Sequence, residues 1–484
     1  YSVHQTSMFD TEERYRVNAF DWENEFPQVF GRDRRGFDVV IGNPPYLNID
    51  DVWGRDDPRQ RYIKHHFRDV YNDKTDILFY FLYRAVALSI GEVGMIVSRA
   101  FLEAYKADKL RAVLTERTNV REIIDFRNYY IFPRVGITTS IVLLTKSREV
   151  RDARVFQLIN SSAPLADIEA SKKNPDTFKE IAIGQGDLGR SAWSFAPPDE
   201  SELFAKIEST CDQLGAILVV GQGMQTGLNA VFANVDIDQI GEWGLVKGQY
   251  FVRARNSDIT RYRIRNSGKL VLYLEEARDF SSLSAGLQAY LLDRRDVLTK
   301  RAAYVRGDCE WWRFTWPLHK DYLDRTRIYC PYMASGNRFA LDAERCYLGL
   351  TDTTVLYSSS HEEDIRYFLA LLNSRLLTFR YSFIGKLRSQ DMREYFWNGI
   401  SKLPIRRIDF SNTRDREAHL KLVELVERVS RLREEETYIG SPSDRASTIR
   451  QASALDRAID EVVYGLYGLT SAETAMIESA VRPS

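Results

Sequence analysis

Over the first 145 residues, short apolar runs alternate with longer apolar stretches of helical period, and glycine- or proline-marked turns separate them. Phe37-Asp38-Val39-Val40-Ile41-Gly42 follows the polar stretch 31–36 and predicts a buried strand that stops at Asn43-Pro44-Pro45-Tyr46. Residues 76–90 place Ile77, Phe81, Ala85 and Leu88 on one face, which predicts a buried helix. Gly91-Glu92-Val93-Gly94 reads as a turn into a strand at Met95-Ile96-Val97. A second helix is expected over 101–117, then strands over 120–126 and 138–145. Strands alternating with helices predict a mostly parallel sheet with crossover helices. Ahead of these, 15–22 reads as a strand and turn. The charged stretch 50–74, with Trp53, Tyr62, Phe67 and Tyr71, reads equally as a loop over a site or as a solvated loop with a short helix.

Beyond residue 147 the texture changes. Residues 148–198 are polar, close on Ala196-Pro197-Pro198 and read as a link. An amphipathic helix is expected over 201–217, with Leu203, Ile207 and Leu214 on one side. Residues 218–408 mix basic and aromatic side chains. Arg253, Arg255, Arg261, Arg263 and Arg265 all stand at odd positions, which on a strand puts them on one face. Such a face suits phosphate contact or bidentate reading of guanine; a plain solvated face is the other reading. Residues 411–436 and 447–467 predict two antiparallel helices packed on the preceding domain, with a short partner-binding coiled coil as the alternative.

Composition narrows the class without deciding it. The 484 residues suffice for two or three domains, and 44% hydrophobic with 28% charged residues is ordinary for a globular protein. No run approaches membrane-spanning length and no secretory signal is present, so no membrane partner is expected. The net charge of −1 counts mildly against a polyanionic partner, although it hides local patches. Four cysteines and six histidines lack metal-ligand spacing, which predicts a reduced, cytoplasmic protein with no metal.

The chemistry concentrates at Asn43-Pro44-Pro45-Tyr46. Pro44 fixes its own φ and restricts Asn43 before it, and Pro45 repeats the constraint. The Asn43 amide oxygen and a fixed carbonyl can both accept hydrogen bonds from one exocyclic NH2, and the Tyr46 ring offers a stacking face. A proline turn that closes a strand, with Tyr46 packed on it, fits the same four residues. The tetrapeptide after such a strand resembles the catalytic motif of the amino-group DNA methyltransferases. The resemblance widens through Asp76-Ile77-Leu78-Phe79-Tyr80-Phe81, Gly91-Glu92-Val93-Gly94-Met95-Ile96-Val97, Ile123-Ile124-Asp125-Phe126 and Ile131-Phe132-Pro133 with Ser140-Ile141-Val142-Leu143. In that order these look like the second half of a γ-type N6-adenine methyltransferase from a type II, type IIG-like restriction–modification enzyme.

The resemblance implies a site-specific, adenine-specific DNA methyltransferase acting on double-stranded DNA with S-adenosylmethionine. Asn43, Pro44, Pro45 and Tyr46 would be catalytic, and Tyr46 and Phe132 would stack on the flipped adenine. Asn18, Asp76 and Phe81 would line the donor site; a core aromatic is an equal reading of Phe81. Arg253, Arg255, Arg261, Arg263, Arg265, Lys386 and Arg388 would face DNA, the last two from the basic loop 385–390 or a plain loop. The run Ala370-Leu371-Leu372-Asn373-Ser374-Arg375-Leu376-Leu377 with Leu403-Pro404-Ile405 resembles a TaqI-like specificity domain.

A glycine-rich donor turn should precede the Asn-Pro-Pro-Tyr motif in this family, and residues 1–42 supply none. Gly221-Gln222-Gly223 downstream reads instead as part of the recognition region. With the first residue Tyr1, this predicts a fragment with an incomplete donor site, inactive alone, and a nuclease module as a possible upstream partner in the same polypeptide. The expected fold class is α/β, a partial Rossmann-like methyltransferase sheet followed by an α+β target-recognition domain and a C-terminal helical pair. The expected boundaries are 1–147, 148–217 (link and helix), 218–410 and 411–484. The alternative function is a non-catalytic, sequence-specific DNA-recognition module that retains a methyltransferase-like remnant.

Overall fold

The structure, a computed structural model, describes residues 20–481 apart from 55–56, 73–74, 128, 133–136, 148, 160–164, 166, 194, 196–197, 359–361 and 390–391. The chain forms two compact units, Tyr1–Pro197 and Pro198–Ser484.

The first unit is built on β1 (Phe37–Gly42), α1 (Leu78–Leu88), β2 (Ser89–Ser98), α2 (Asp108–Arg117), β3 (Asn119–Asp125), β4 (Thr139–Thr145), β5 (Ala153–Leu158) and β6 (Phe178–Ile183). Its six strands lie in the order β1-β2-β4-β3-β5-β6. β1 runs parallel to β2 and β3 parallel to β5, whereas β4 is antiparallel to both β2 and β3, and β6 to β5. The sheet is therefore mixed, not mostly parallel. Residues 126–138 hold no helix among the described residues, and a parallel return needs a crossover of helix length. β4 accordingly turns back and inserts between β2 and β3.

Alternate residues of the strands face opposite ways. Val93, Met95, Val97, Ile123, Val142 and Leu144 pack with Leu78, Leu82, Val86, Leu110 and Leu114 of the helices. Ile124, Phe126, Phe156, Leu158 and Phe178 form a second cluster on their own. Each such apolar side chain contributes about 1.5–3 kcal/mol by leaving water. Helix α1 forms where expected but turned: Leu78, Leu82, Ala85 and Val86 are buried, whereas Phe81 is 47% exposed.

Gly91 to Gly94 is no turn but lies inside β2. The β1–β2 register slips between Phe37 and Val39, and a Cβ on Gly91 would stand 2.4 Å from the Asp38 carbonyl oxygen, so glycine serves a close approach at a bulge. Helix 101–117 breaks into Ala100–Glu103, a 3-10 turn at Tyr105–Ala107, and α2. The polar stretch 148–198, read as a link, supplies β5, paired between β3 and β6, and β6 at the sheet edge, where a polar outer face is tolerated. In the segment 15–22, residues 15–19 lie outside the described residues, and Trp22–Glu25 is a short helix capped by the Asp21 carboxylate.

The second unit is α+β. Its helix α3 (Pro198–Ser209) ends earlier than expected and is followed by a two-residue strand at Asp212–Gln213. A four-stranded sheet contains β7 (Val219–Gln222), and Tyr250–Ala254, named β8, belongs to a separate three-stranded sheet. β9 (Ile259–Thr260) and β10 (Arg263–Ile264) make a hairpin of their own. The run of odd-numbered arginines thus crosses two sheets and a turn, and the single arginine-faced strand is not formed. Two buried helices follow, α4 (Ile365–Asn373) and α5 (Arg375–Ile384), with the Ser374 side chain capping α5 by accepting from the Leu377 N–H. The C-terminal pair is present as α6 (Thr413–Glu435) and α7 (Pro442–Leu466), held by Leu422, Leu425, Val426, Val429, Ile459 and Val463. A third helix, α8 (Ser471–Ala480), adds to the expected pair; its Glu473 takes an ion pair from Lys206 of α3 at 2.8 Å. No helix among the described residues is long and apolar enough to cross a membrane.

Candidate active site

β1 delivers Asn43-Pro44-Pro45-Tyr46 to the carboxyl edge of the first unit's sheet. Pro44 is buried, which anchors the bend, while Asn43 is exposed and Tyr46 is half-buried against the core cluster. The Tyr46 hydroxyl donates to Asn43 Oδ1 at 2.7 Å, with the Ile96 carbonyl of β2 a second acceptor at 3.3 Å. The Asn43 amide is thereby held in one orientation, its oxygen keeping a further lone pair. Burial, and then the nearby Asp76 carboxylate, raise the Tyr46 phenol above its ordinary value, so it is a proton donor throughout the physiological range.

Asp76 ties the motif loop down. Its Oδ1 accepts the Leu47 N–H at 3.2 Å and the Leu78 N–H at 3.0 Å, joining the residue after Tyr46 to the first turn of α1. Burial pushes its carboxyl up to about 6, partly offset by those two N–H groups. Against a value near 3.9 in the unfolded chain, the folded state holds the proton more tightly. This group therefore lowers stability as pH rises from about 4 to about 6, and its contribution is flat above that. Asp76→Asn keeps Oδ1 as acceptor and is expected to flatten that slope in denaturant titrations between pH 4 and 8. Asp76→Ala orphans both N–H groups and is expected to cost about 1–3 kcal/mol.

β3 is parallel to β1 in the sheet, so the loop after Asp125 emerges on the same edge as Asn43. That loop carries Phe132, half-buried, with β2 and β4 lying between it and the motif strand. Three strand spacings put β1 and β3 about 14 Å apart. A network that sequence reasoning passed over lies between them. Arg99, directly after β2, donates to Asp125 from Nε at 2.6 Å and to Glu103 at 2.6 Å. Asp125, wholly buried, also accepts from the Arg127 N–H at 2.9 Å and from Gln157 Nε2 at 3.3 Å. Burial opposes both charges, yet Asp125 and Glu103 raise the Arg99 guanidinium, and Arg99 holds the Asp125 carboxyl below its ordinary value. Asp125 stands in the segment Ile123-Ile124-Asp125-Phe126, where a lone acid closing an apolar strand was the available signal.

The donor-side residues fare differently. Asn18 lies outside the described residues. Phe81 presents its ring to solvent, and Asp76 has one oxygen committed to backbone. Gly221 and Gly223 do not cradle a ligand: a Cβ there would stand 2.3 Å from His319 Nε2 and 2.1 Å from the Leu350 carbonyl oxygen, so protein atoms fill that space.

The arginines of the second unit are spread. Arg253 donates to the Ala233 carbonyl, Arg255 pairs with Asp258 at 2.8 Å, and Arg261 binds Asp456 at 3.0 Å and the Asn373 carbonyl at 2.8 Å. Arg263 reaches the Arg433 carbonyl and Arg265 that of Ser257. The basic stretch 385–390, read as a loop, holds a strand at Leu387–Ser389: Arg388 within it is ion-paired to Glu394, and Lys386 is exposed just before it.

Residues 3–132 match the Eco57I restriction-modification methylase family. This stretch of the chain is similar to an Eco57I-type methylase domain. Asn43, Tyr46, Asp76, Phe81 and Phe132 all fall within the match. Over 434 residues the chain is 23% identical to the Type II methyltransferase M.HindII of Haemophilus influenzae, covering 81% of this chain and 79% of that one. Over 450 residues it is 20% identical to RM.Eco57I of Escherichia coli, a Type II restriction enzyme and methyltransferase, covering 84% of this chain but 43% of that one. The structure of the Type IIL restriction-modification enzyme MmeI in complex with DNA shares the fold, with a TM-score of 0.62 at 11% identity, over 95% of this chain and 58% of that one. The chain thus spans less than half of RM.Eco57I and under two thirds of MmeI.

Proposed function

We propose that this chain supplies the acceptor side and the target-recognition part of a restriction–modification DNA methyltransferase that modifies the N6 amino group of an adenine turned out of the duplex. The observation that carries the reading is the exposed Asn43 amide, held by the Tyr46 hydroxyl at 2.7 Å on a proline-stiffened bend at the end of β1.

The chemistry follows from that geometry. An adenine amino group is conjugated with its ring and is a poor nucleophile. Asn43 Oδ1 and the Pro44 carbonyl accept its two hydrogens and draw the nitrogen toward a tetrahedral form with a localised lone pair. Both acceptors are fixed before the base arrives, so orientation accounts for most of the effect. The Tyr46 ring, with Phe132 from the loop after β3, receives the extruded base. S-adenosylmethionine, the donor that methyltransferases of this family use, supplies a sulfonium methyl when bound. The second unit is assigned the reading of the target sequence, with Lys386, just before the strand Leu387–Ser389, and Arg388, within it, among its DNA contacts.

The hydroxyl and the ring of Tyr46 have separable roles. Tyr46→Phe keeps the stacking face but frees the Asn43 amide. Methyl transfer to duplex DNA by the polypeptide that carries this chain is expected to lose about tenfold in kcat, the worth of one hydrogen bond of about 1.4 kcal/mol, with DNA affinity unchanged. Tyr46→Ala is expected to weaken capture of the base as well, by about 1–3 kcal/mol of stacking. If no methyl group reaches the DNA from the unaltered polypeptide, the proposal fails; if Tyr46→Phe is fully active, the hydroxyl has no part in it.

A further inference from the structure

The second unit contains a cleft of about 570 Å³ whose walls carry Arg261, Arg263, Arg265, Arg338, Arg433 and Arg445. The six come from four stretches of chain: the β9–β10 hairpin and its exit, the loop before Phe339, the end of α6 and the start of α7. The nearby carboxylates are fewer. Glu436 lies 3.5 Å from Arg433 and 3.4 Å from Arg445. Asp456 serves Arg261 at 3.0 Å and Arg433 at 3.4 Å. Asp460, near Arg261, is shared with Arg375 at 3.4 Å. Arg263, Arg265 and Arg338 donate instead to backbone carbonyls, of Arg433, Ser257 and Met333. A carbonyl satisfies an N–H but does not neutralise a charge. Burial depresses the Arg338 guanidinium, and the like charge of Arg265 close by depresses it further.

The hairpin is held in place at a conformational cost. Tyr262, between Arg261 and Arg263, has φ of 66°, a region that bulky side chains rarely adopt. Its ring is buried, and its N–H donates to the Phe339 carbonyl at 2.8 Å. Strained backbone of this kind persists where the surroundings over-determine it.

We infer that this cleft is a docking site for the phosphodiester backbone of duplex DNA, and that the C-terminal helices α6 and α7 form part of it through Arg433 and Arg445. The inference rests on the DNA-methyltransferase reading above and adds where the backbone lies. Guanidinium forks match phosphate oxygens, and clustered arginines of excess charge attract a polyanion. Among the described residues the wall has no aromatic ring to stack on a base; its other members are Thr, Ser, Gly, Asn and Glu. The cleft therefore offers guanidinium forks to the backbone and no stacking face to a base.

The test is fluorescence anisotropy of the full chain with a duplex across a salt series. Removing one phosphate-binding side chain flattens the slope of log K against log salt by about 0.9. Arg265→Gln with Arg338→Gln and Arg445→Gln is expected to flatten it by about 2–3, with the melting temperature unchanged. Should that triple variant melt early, Arg445→Gln alone, on the exposed first turn of α7, decides by the same slope. Arg428→Gln, on α6 and paired with Glu424 at 3.2 Å, is the control and should leave the slope alone. Folded cleft variants with an unchanged slope would overturn the inference and leave the methyltransferase reading intact. Failure of the unaltered chain to bind any duplex would overturn both.

Discussion

Asn43→Ala is expected to lower methyl transfer by about 10²–10³-fold, the usual loss when one preorganised hydrogen-bond partner is taken from a developing charge. Binding of duplex DNA should stay within about twofold, because Asn43 is exposed and its side chain is engaged by the Tyr46 hydroxyl of its own bend. The fold should hold too, since the bend is anchored by buried Pro44 and by Asp76 on the Leu47 N–H. Labelled methyl incorporation and anisotropy on the same preparations separate the two quantities. Equal losses in both would make Asn43 a binding residue and not a catalytic one.

Asp125→Ala is the largest expected effect on stability. It strands the Arg99 guanidinium in the interior and orphans the Arg127 N–H, and breaking one side of such a pair costs about 3–5 kcal/mol. Replacing both partners, Arg99→Met with Asp125→Leu, is expected to cost less than the single change, since no uncompensated charge remains. The sign with pH is set by the depressed carboxyl: its stabilisation is present above about 4, the unfolded value, and fades as pH falls through the lower folded value. Urea titrations of the single and double variants at pH 7 and pH 3 measure all of this. The pair sits where β2 and β3 end, so the single variant should also loosen the loop that carries Phe132.

The motif strand and its bend could be read in advance because two prolines and an apolar run leave little conformational choice, but its burial could not: β1 is an edge strand with Val39 58% and Ile41 79% exposed, not the buried strand expected. Helix α1 could be read as an element but not in its orientation. Phe81 and Leu82 are equally apolar, and the sheet above them decides that Leu82 is buried. Gly91 and Gly94 misled because glycine marks both turns and close approaches, and the Asp38 carbonyl that crowds Gly91 comes from a strand far away in sequence. The odd-numbered arginines failed for a similar reason. Period two specifies a face only along one unbroken strand, and the strained Tyr262 turns the chain between Arg261 and Arg263. The cleft that gathers Arg263, Arg265 and Arg338 with Arg433 and Arg445 draws on segments that only the folded chain brings together.

In the proposed mechanism a rigid pair of acceptors, Asn43 and Pro44, grips an exocyclic amino group. The direct measurement is nucleoside mass spectrometry of genomic DNA from a methylation-free host that expresses the polypeptide carrying this chain, unaltered or as Asn43→Ala. N6-methyladenine from the unaltered protein and none from the variant is the result predicted. Methylation at a ring carbon of cytosine, or N6-methyladenine at full level with Asn43→Ala, would contradict it.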